Sequence, residues 1–200
     1  MNYRLQDFLK YIIPGLYAVA FIFVWYLFFY KGSIEIEKLK DFSGVILLLI
    51  PFVGFVVGYF LASFMSIVEN LFYFCNGRRP STNILRGCKL YPLVGREKIL
   101  SKHHISGNKS ISNDKAGKIL QEAKQVINRE LVEAFRINSA MSRNIFGAQV
   151  MLVFLYAFAP THQCKIWWFL IILLVVFFIY WIHNNHVYAK YVLAEYGKTL

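Results

Sequence analysis

Arg78 and Arg79 stand side by side after Gly77, and Arg86 and Lys89 follow within ten residues. A guanidinium offers a planar fork of donors that meets two phosphate oxygens at once. These four residues are the chain's candidates for holding a phosphate-bearing ligand. The surrounding segment, 69–143, carries 14 Lys/Arg against 6 Asp/Glu, a surplus that attracts anions. The same residues have a plainer use: basic side chains beside a membrane span face the cytoplasm and contact anionic lipid.

Other reactive residue types are less well placed. His183 and His186 lie about one helical turn apart, without a carboxylate or thiol beside them, and read as an interfacial cap for a helix end. Cys75, Cys88, His103 and His104 have metal-ligating chemistry, but their spacing is unlike the paired motifs of zinc sites. No His-Glu-x-x-His, Gly-x-Ser-x-Gly or phosphate-loop pattern occurs. No metal, cofactor or catalytic residue is expected, and the chain is not read as an enzyme. An enzyme acting on lipid or isoprenoid would need clustered interfacial polar groups, and 183–186 (His-Asn-Asn-His) lacks an acid nearby. Three cysteines, Cys75, Cys88 and Cys164, imply no internal disulfide.

The elements that position these residues are apolar. The chain is 58% hydrophobic and 18% aromatic, whereas soluble domains are about 45–50% apolar. Crossing a lipid core of about 30 Å takes roughly 20 mostly apolar residues as a helix. Uncharged stretches occupy 11–30, 42–68, 144–164 and 166–186. They predict an all-α integral membrane protein with four transmembrane helices, spans about 11–30, 43–68, 144–160 and 166–183. Loops 31–41 and 161–165 pair the spans as two hairpins, residues 1–68 and 144–186. The run through 30 predicts a retained anchor rather than a cleaved leader. With four spans, 18 of the 22 Lys/Arg fall on one side, which places both termini, segment 69–143 and tail 187–200 in the cytoplasm. Trp25, Tyr26, Tyr30, Trp167, Trp168, Tyr180 and Trp181 read as headgroup-level anchors.

Pro14-Gly15 reads as the start of span 1, where a missing N–H is harmless. Span 2 carries Gly54, Gly58 and Ala62 at intervals of four, with Ser63 and Ser66 nearby. Such a small-residue ridge lets another helix approach closely. It is either ordinary packing within the chain or part of a pore lining built from several copies. Gln149 is the clear intramembrane amide. The spans hold no Asp, Glu, Lys or Arg, which argues against proton-coupled transport but not against a channel.

In the basic insert, 76–112 reads as irregular, rich in Gly and Pro, with short apolar pieces such as 90–94 able to pack as strands or docking loops. A helix is predicted over about 114–138. Its apolar stripe is Ala116, Leu120, Ala123, Ile127, Leu131 and Ala134, and Lys118, Glu122, Gln125, Arg129, Glu133 and Arg136 line the opposite face. This amphipathic helix is continuous or nearly so with span 3, any break falling near 138–144. The stripe needs cover, from 76–112 or from a second copy, and a homo-oligomer is expected.

The layout of two short-loop hairpins flanking a 75-residue basic insert resembles the small four-span membrane effectors of bacterial anti-phage signalling. That resemblance covers the whole chain as architecture. It implies a homo-oligomeric pore or membrane-disrupting effector in the inner membrane, gated by a cyclic or linear oligonucleotide messenger from a partner enzyme, with no direct DNA binding. The alternative is a non-conducting scaffold or accessory subunit that binds a protein through the amphipathic helix.

Overall fold

The computed structural model describes residues 5–30, 43–76, 78–106, 111–127, 129–157 and 164–200. The span-joining loops read at 31–41 and 161–163 lie outside the described residues. Every regular element described is an α-helix: α1 (Leu5–Tyr30), α2 (Ser43–Asn76), α3 (Pro80–Leu85), α4 (Arg96–Lys102), α5 (Asn113–Val126), α6 (Arg129–Ala157) and α7 (Cys164–Thr199). They form two compact units, one of Met1–Ile67 with Ala140–Trp181 and one of Val68–Ser139 with Ile182–Leu200.

Among the described residues, two helices, α2 and α7, contain stretches long and apolar enough to cross a membrane. Only 11% of the apolar window in α7 is buried. A core helix of a soluble protein would bury most of such a surface, so this helix could cross a membrane. Phe52, Phe60, Phe64, Trp168, Phe169 and Ile172 are among the large apolar groups left outside.

In the first unit, α1 and α2 run antiparallel with glycines between them. A Cβ on Gly58 would lie 1.8 Å from the Tyr11 carbonyl oxygen, and one on Gly15 would lie 1.7 Å from that of Gly54. Side chains are sterically excluded there, so the backbones touch directly. On α6, Gly147 makes room for the Met65 side chain of α2. Phe146 stacks on Trp181 of α7 with ring centroids 5.3 Å apart, and Tyr156 meets Trp167 edge-on.

Pro14 lies inside α1, not at its start, because the helix begins at Leu5. An interior proline cannot donate to the carbonyl four residues earlier, here Lys10. Asn144 on α6 is fully buried, and its Nδ2 donates to that carbonyl at 3.2 Å. The side chain of one helix thus supplies the hydrogen bond that proline removes from another.

The second unit has its own core. Ile84 and Leu85 of α3, Ile99 of α4, Ala116, Ile119 and Ala123 of α5, and Ala189, Val192, Leu193 and Tyr196 of α7 are buried together. Segment 76–112, read as irregular, contains α3 and α4. α3 opens on Pro80, and α4 follows Gly95, whose φ of 77° suits glycine. Tail 187–200 is helix through Thr199 and part of this core.

The amphipathic helix ends earlier than expected. Ser112 caps α5, its hydroxyl accepting from the Lys115 N–H at 3.2 Å. Ile127 is extended, with φ −87° and ψ 157°, and α6 then runs unbroken through 138–144. The break resets the helical phase. Ala116, Ala123 and Ile127 are buried as the stripe requires, but beyond it Val132 and Ile137 are buried and Ala134 is exposed.

Replacing Asn144 by Leu should cost about 1–3 kcal/mol by leaving the Lys10 carbonyl unpaired. In a Pro14→Ala background the restored N–H pairs with that carbonyl, so Asn144→Leu should cost clearly less. Thermal unfolding of the four variants in detergent measures this coupling, and additive effects would refute it.

Candidate functional site

The four basic residues singled out by type have different surroundings. Arg86 on the turn after α3 directs its guanidinium at the main chain, with Nε and Nη2 donating to the Ile111 carbonyl at 3.1 and 2.7 Å. Ile111 is fully buried, so Arg86 ties the entry of α5 to the end of α3. Lys89 is exposed on the following loop. Arg78 and Arg79 are exposed just before α3.

Arg79 lines a cavity of about 500 Å³ with Asn70, Leu71, Tyr73 and Phe74 from the end of α2 and Asn113 and Asp114 from the start of α5. Asn113 is fixed beside Arg79. Its Oδ1 accepts from the Arg79 N–H at 3.1 Å and from the Thr82 hydroxyl at 2.7 Å. Tyr73 is buried and accepts from Asn185 Nδ2 at 3.0 Å. Burial lifts its phenol above the ordinary value, so it stays neutral. Asn185 also donates to Glu69 at 3.0 Å and accepts from Ser139. The cavity therefore offers a cation at Arg79, a carboxylate acceptor at Asp114 and an exposed aromatic ring at Phe74.

Asp114, Tyr73 and Phe74 were absent from the sequence-based candidates. Asp114 sits in the first turn of α5, where a carboxylate is ordinary, and 40 residues separate it from Phe74. Only the fold brings them together.

A second cavity, about 560 Å³, is lined by His103, Asp114, Lys115, Lys118 and Glu122, among others. On its rim, Tyr196 donates to Glu122 Oε1 at 2.5 Å, and Lys102 donates to the same oxygen at 2.8 Å and to the Tyr196 hydroxyl at 2.7 Å. The Lys102 ammonium, then the Tyr196 hydroxyl, hold the Glu122 carboxyl below its ordinary value. Glu122 raises Lys102 in return. The triad joins α4, α5 and α7 and is structural in form.

His183 and His186 are also engaged. Tyr91 stacks on His186 at 4.7 Å, and its hydroxyl lies 3.1 Å from His183 Nδ1. His186 Nδ1 lies 2.8 Å from the Ile182 carbonyl. Among the described residues no three His, Cys, Asp or Glu side chains group to hold a metal ion.

In the first unit, the ridge residues Gly54, Gly58 and Ala62 are buried, the glycines against α1. Ser63 and Ser66 are exposed, and the Ser63 hydroxyl donates to the Tyr59 carbonyl at 3.1 Å. Gln149 is fully buried, accepting from the Tyr17 hydroxyl at 2.8 Å and donating to the Leu170 carbonyl at 3.2 Å. No family model, curated protein or solved structure matches the chain.

Arg86→Ala should destabilise the fold by about 1–3 kcal/mol, through the orphaned Ile111 carbonyl, whereas Arg78→Ala and Lys89→Ala should stay within about 0.5 kcal/mol. Thermal melts of the three variants decide. The Glu122 contribution is fully present above its unfolded value near 4.5 and is lost as pH falls through the lowered folded value. The melting difference between wild type and Glu122→Gln should therefore shrink as pH drops below about 4.5. A pH-independent difference would contradict the pairing.

Proposed function

We propose that the chain crosses the inner membrane four times, with both termini and the basic unit in the cytoplasm, and acts as a homo-oligomeric, membrane-disrupting or pore-forming effector triggered by a nucleotide-like messenger. The observation that carries the ligand half is the cavity around Arg79. A phosphate pairs with the guanidinium. Asp114 repels a second phosphate but accepts from an amino or hydroxyl group of a base or ribose. Phe74, 84% exposed, offers a face on which a base can stack. A simple inorganic anion uses only the first of these. Arg78 adds charge beside the site, while Arg86 belongs to the scaffold of the unit. The uncovered apolar surfaces of α2 and α7 support the membrane half, with α1 and the apolar part of α6 supplying the other two crossings.

A ligand shifts a conformational equilibrium only by its differential affinity for two states. Helices α2, α6 and α7 each contribute residues to both units, so they are the elements through which such a shift would act.

One observation favours the second reading, a non-conducting scaffold. The small-residue ridge and the apolar stripe of α5 are both covered within a single chain. Neither therefore demands a second copy, and a protein partner would bind elsewhere on the basic unit.

Leakage of dye from liposomes holding the purified protein, with and without cyclic and linear oligonucleotides, tests the proposal. Ligand-dependent leakage is expected, and the Arg78→Ala/Arg79→Ala variant should lose it while keeping its helical content. Full response in that variant would remove the Arg79 site. Absence of leakage with every oligonucleotide, from inserted and folded protein, would favour the scaffold.

A further inference from the structure

The loop between α3 and α4 presents apolar side chains outward in a way that its own core does not require. Leu90 is 84% exposed and Val94 is 81% exposed. Their neighbours Tyr91 and Leu93 are partly buried against the core of the second unit. Two apolar groups therefore point in and two point out over five residues.

The loop is held in shape. Gly87 and Gly95 bracket it with φ of 87° and 77°, values that favour glycine. Arg96 closes it by donating from Nε to the Leu85 carbonyl at 2.7 Å. The Tyr91 hydroxyl lies 3.1 Å from His183, and its ring stacks on His186. Those two histidines follow directly on the apolar run that ends at Ile182. The loop is thus pinned to the residues at which the last span would leave the lipid. Lys89 is exposed next to Leu90, and the chain carries a net charge of +11.

We propose that the 88–94 loop is a second membrane contact of the cytoplasmic unit, inserting Leu90 and Val94 into the headgroup region of an anionic leaflet, with Lys89 on lipid phosphate. The inference rests on the four-span reading, which sets the level of His183. Apolar side chains of interfacial segments enter roughly 5–10 Å at the headgroup and acyl boundary. Basic residues beside them add attraction to anionic lipid. The rigid brackets make this insertion inexpensive, because the loop need not be ordered on contact.

Nitroxide accessibility of the full-length protein in phosphatidylglycerol–phosphatidylcholine bilayers tests it. In a Cys75→Ser/Cys88→Ser/Cys164→Ser background, single labels are placed by Leu90→Cys, Val94→Cys, Ile172→Cys and Lys98→Cys. Labels at 90 and 94 should favour oxygen over a water-soluble nickel chelate several-fold more than the label at 98. Labels at 90 and 94 that match 98, or that neither reagent reaches because protein covers them, would overturn the insertion. The label at 172 separates the two readings: if it is water-accessible, the four-span reading fails; if it is in lipid while 90 is in water, only the loop proposal fails. With native cysteines retained, tryptic cleavage at Lys89 in the same vesicles should be several-fold faster in Leu90→Ser/Val94→Ser than in wild type. Equal rates would also overturn it.

Discussion

A backbone carbonyl buried among helices must find a donor, and the first unit is organised around that requirement. Pro14 removes the donor that α1 would have given Lys10, and Asn144 replaces it from α6. Gln149, also on α6, takes the Tyr17 hydroxyl and gives a hydrogen bond to the Leu170 carbonyl, so α1, α6 and α7 meet at one amide. Buried away from water, such bonds have no competing solvent, and their geometry sets which faces of the helices can meet. The glycine contacts of α1 and α2 complete the arrangement, since they allow main chains to touch without any side chain between them.

The second unit solves a different problem. The described residues of segment 78–127 supply three helices, the longest of 14 residues, too short to be stable alone in water. The C-terminal part of α7 provides the missing partner. Val192, Leu193 and Tyr196 are fully buried, and the Tyr196 hydroxyl reaches Glu122 and Lys102 at the surface. Tyr196 therefore anchors both the apolar core and the polar triad above it.

These solutions were legible to different degrees. The ridge Gly54, Gly58 and Ala62 was readable because spacing by four puts small residues on one helix face, whatever the partner. The partner was not readable, since α1 shows only a lone Gly15 to mark the contact. The apolar stripe from Ala116 to Ile127 was likewise plain, but the break after it was not. Neither Gly nor Pro stands at 127, and the extended Ile127 is buried in the tertiary core. The tail's buried residues, Ala189, Val192, Leu193 and Tyr196, have the i, i+3, i+4, i+7 spacing of a helix; that signal was missed, and nothing local announces that the stripe completes a core with α3, α4 and α5. The cavity at Arg79 depends on Asp114 and Phe74 meeting across 40 residues, which no local pattern announces.

Satisfying both packing signals inside one chain changes what an assembly would have to be made of. With Gly54 and Gly58 against α1, α2 is left with an outer surface of Phe52, Phe60 and Phe64 interrupted by Ser63 and Ser66. A ring of copies joined through that surface would line a conduit mainly with aromatic groups, a constriction that excludes water more readily than it conducts ions. Under the proposed reading, such a surface suits disorder of the bilayer rather than a polar selective pore. The buried amides point the same way. Gln149 is held by bonds to its own bundle, and turning it toward a conduit would leave the Tyr17 hydroxyl and the Leu170 carbonyl without those bonds, a cost of several kcal/mol each in lipid.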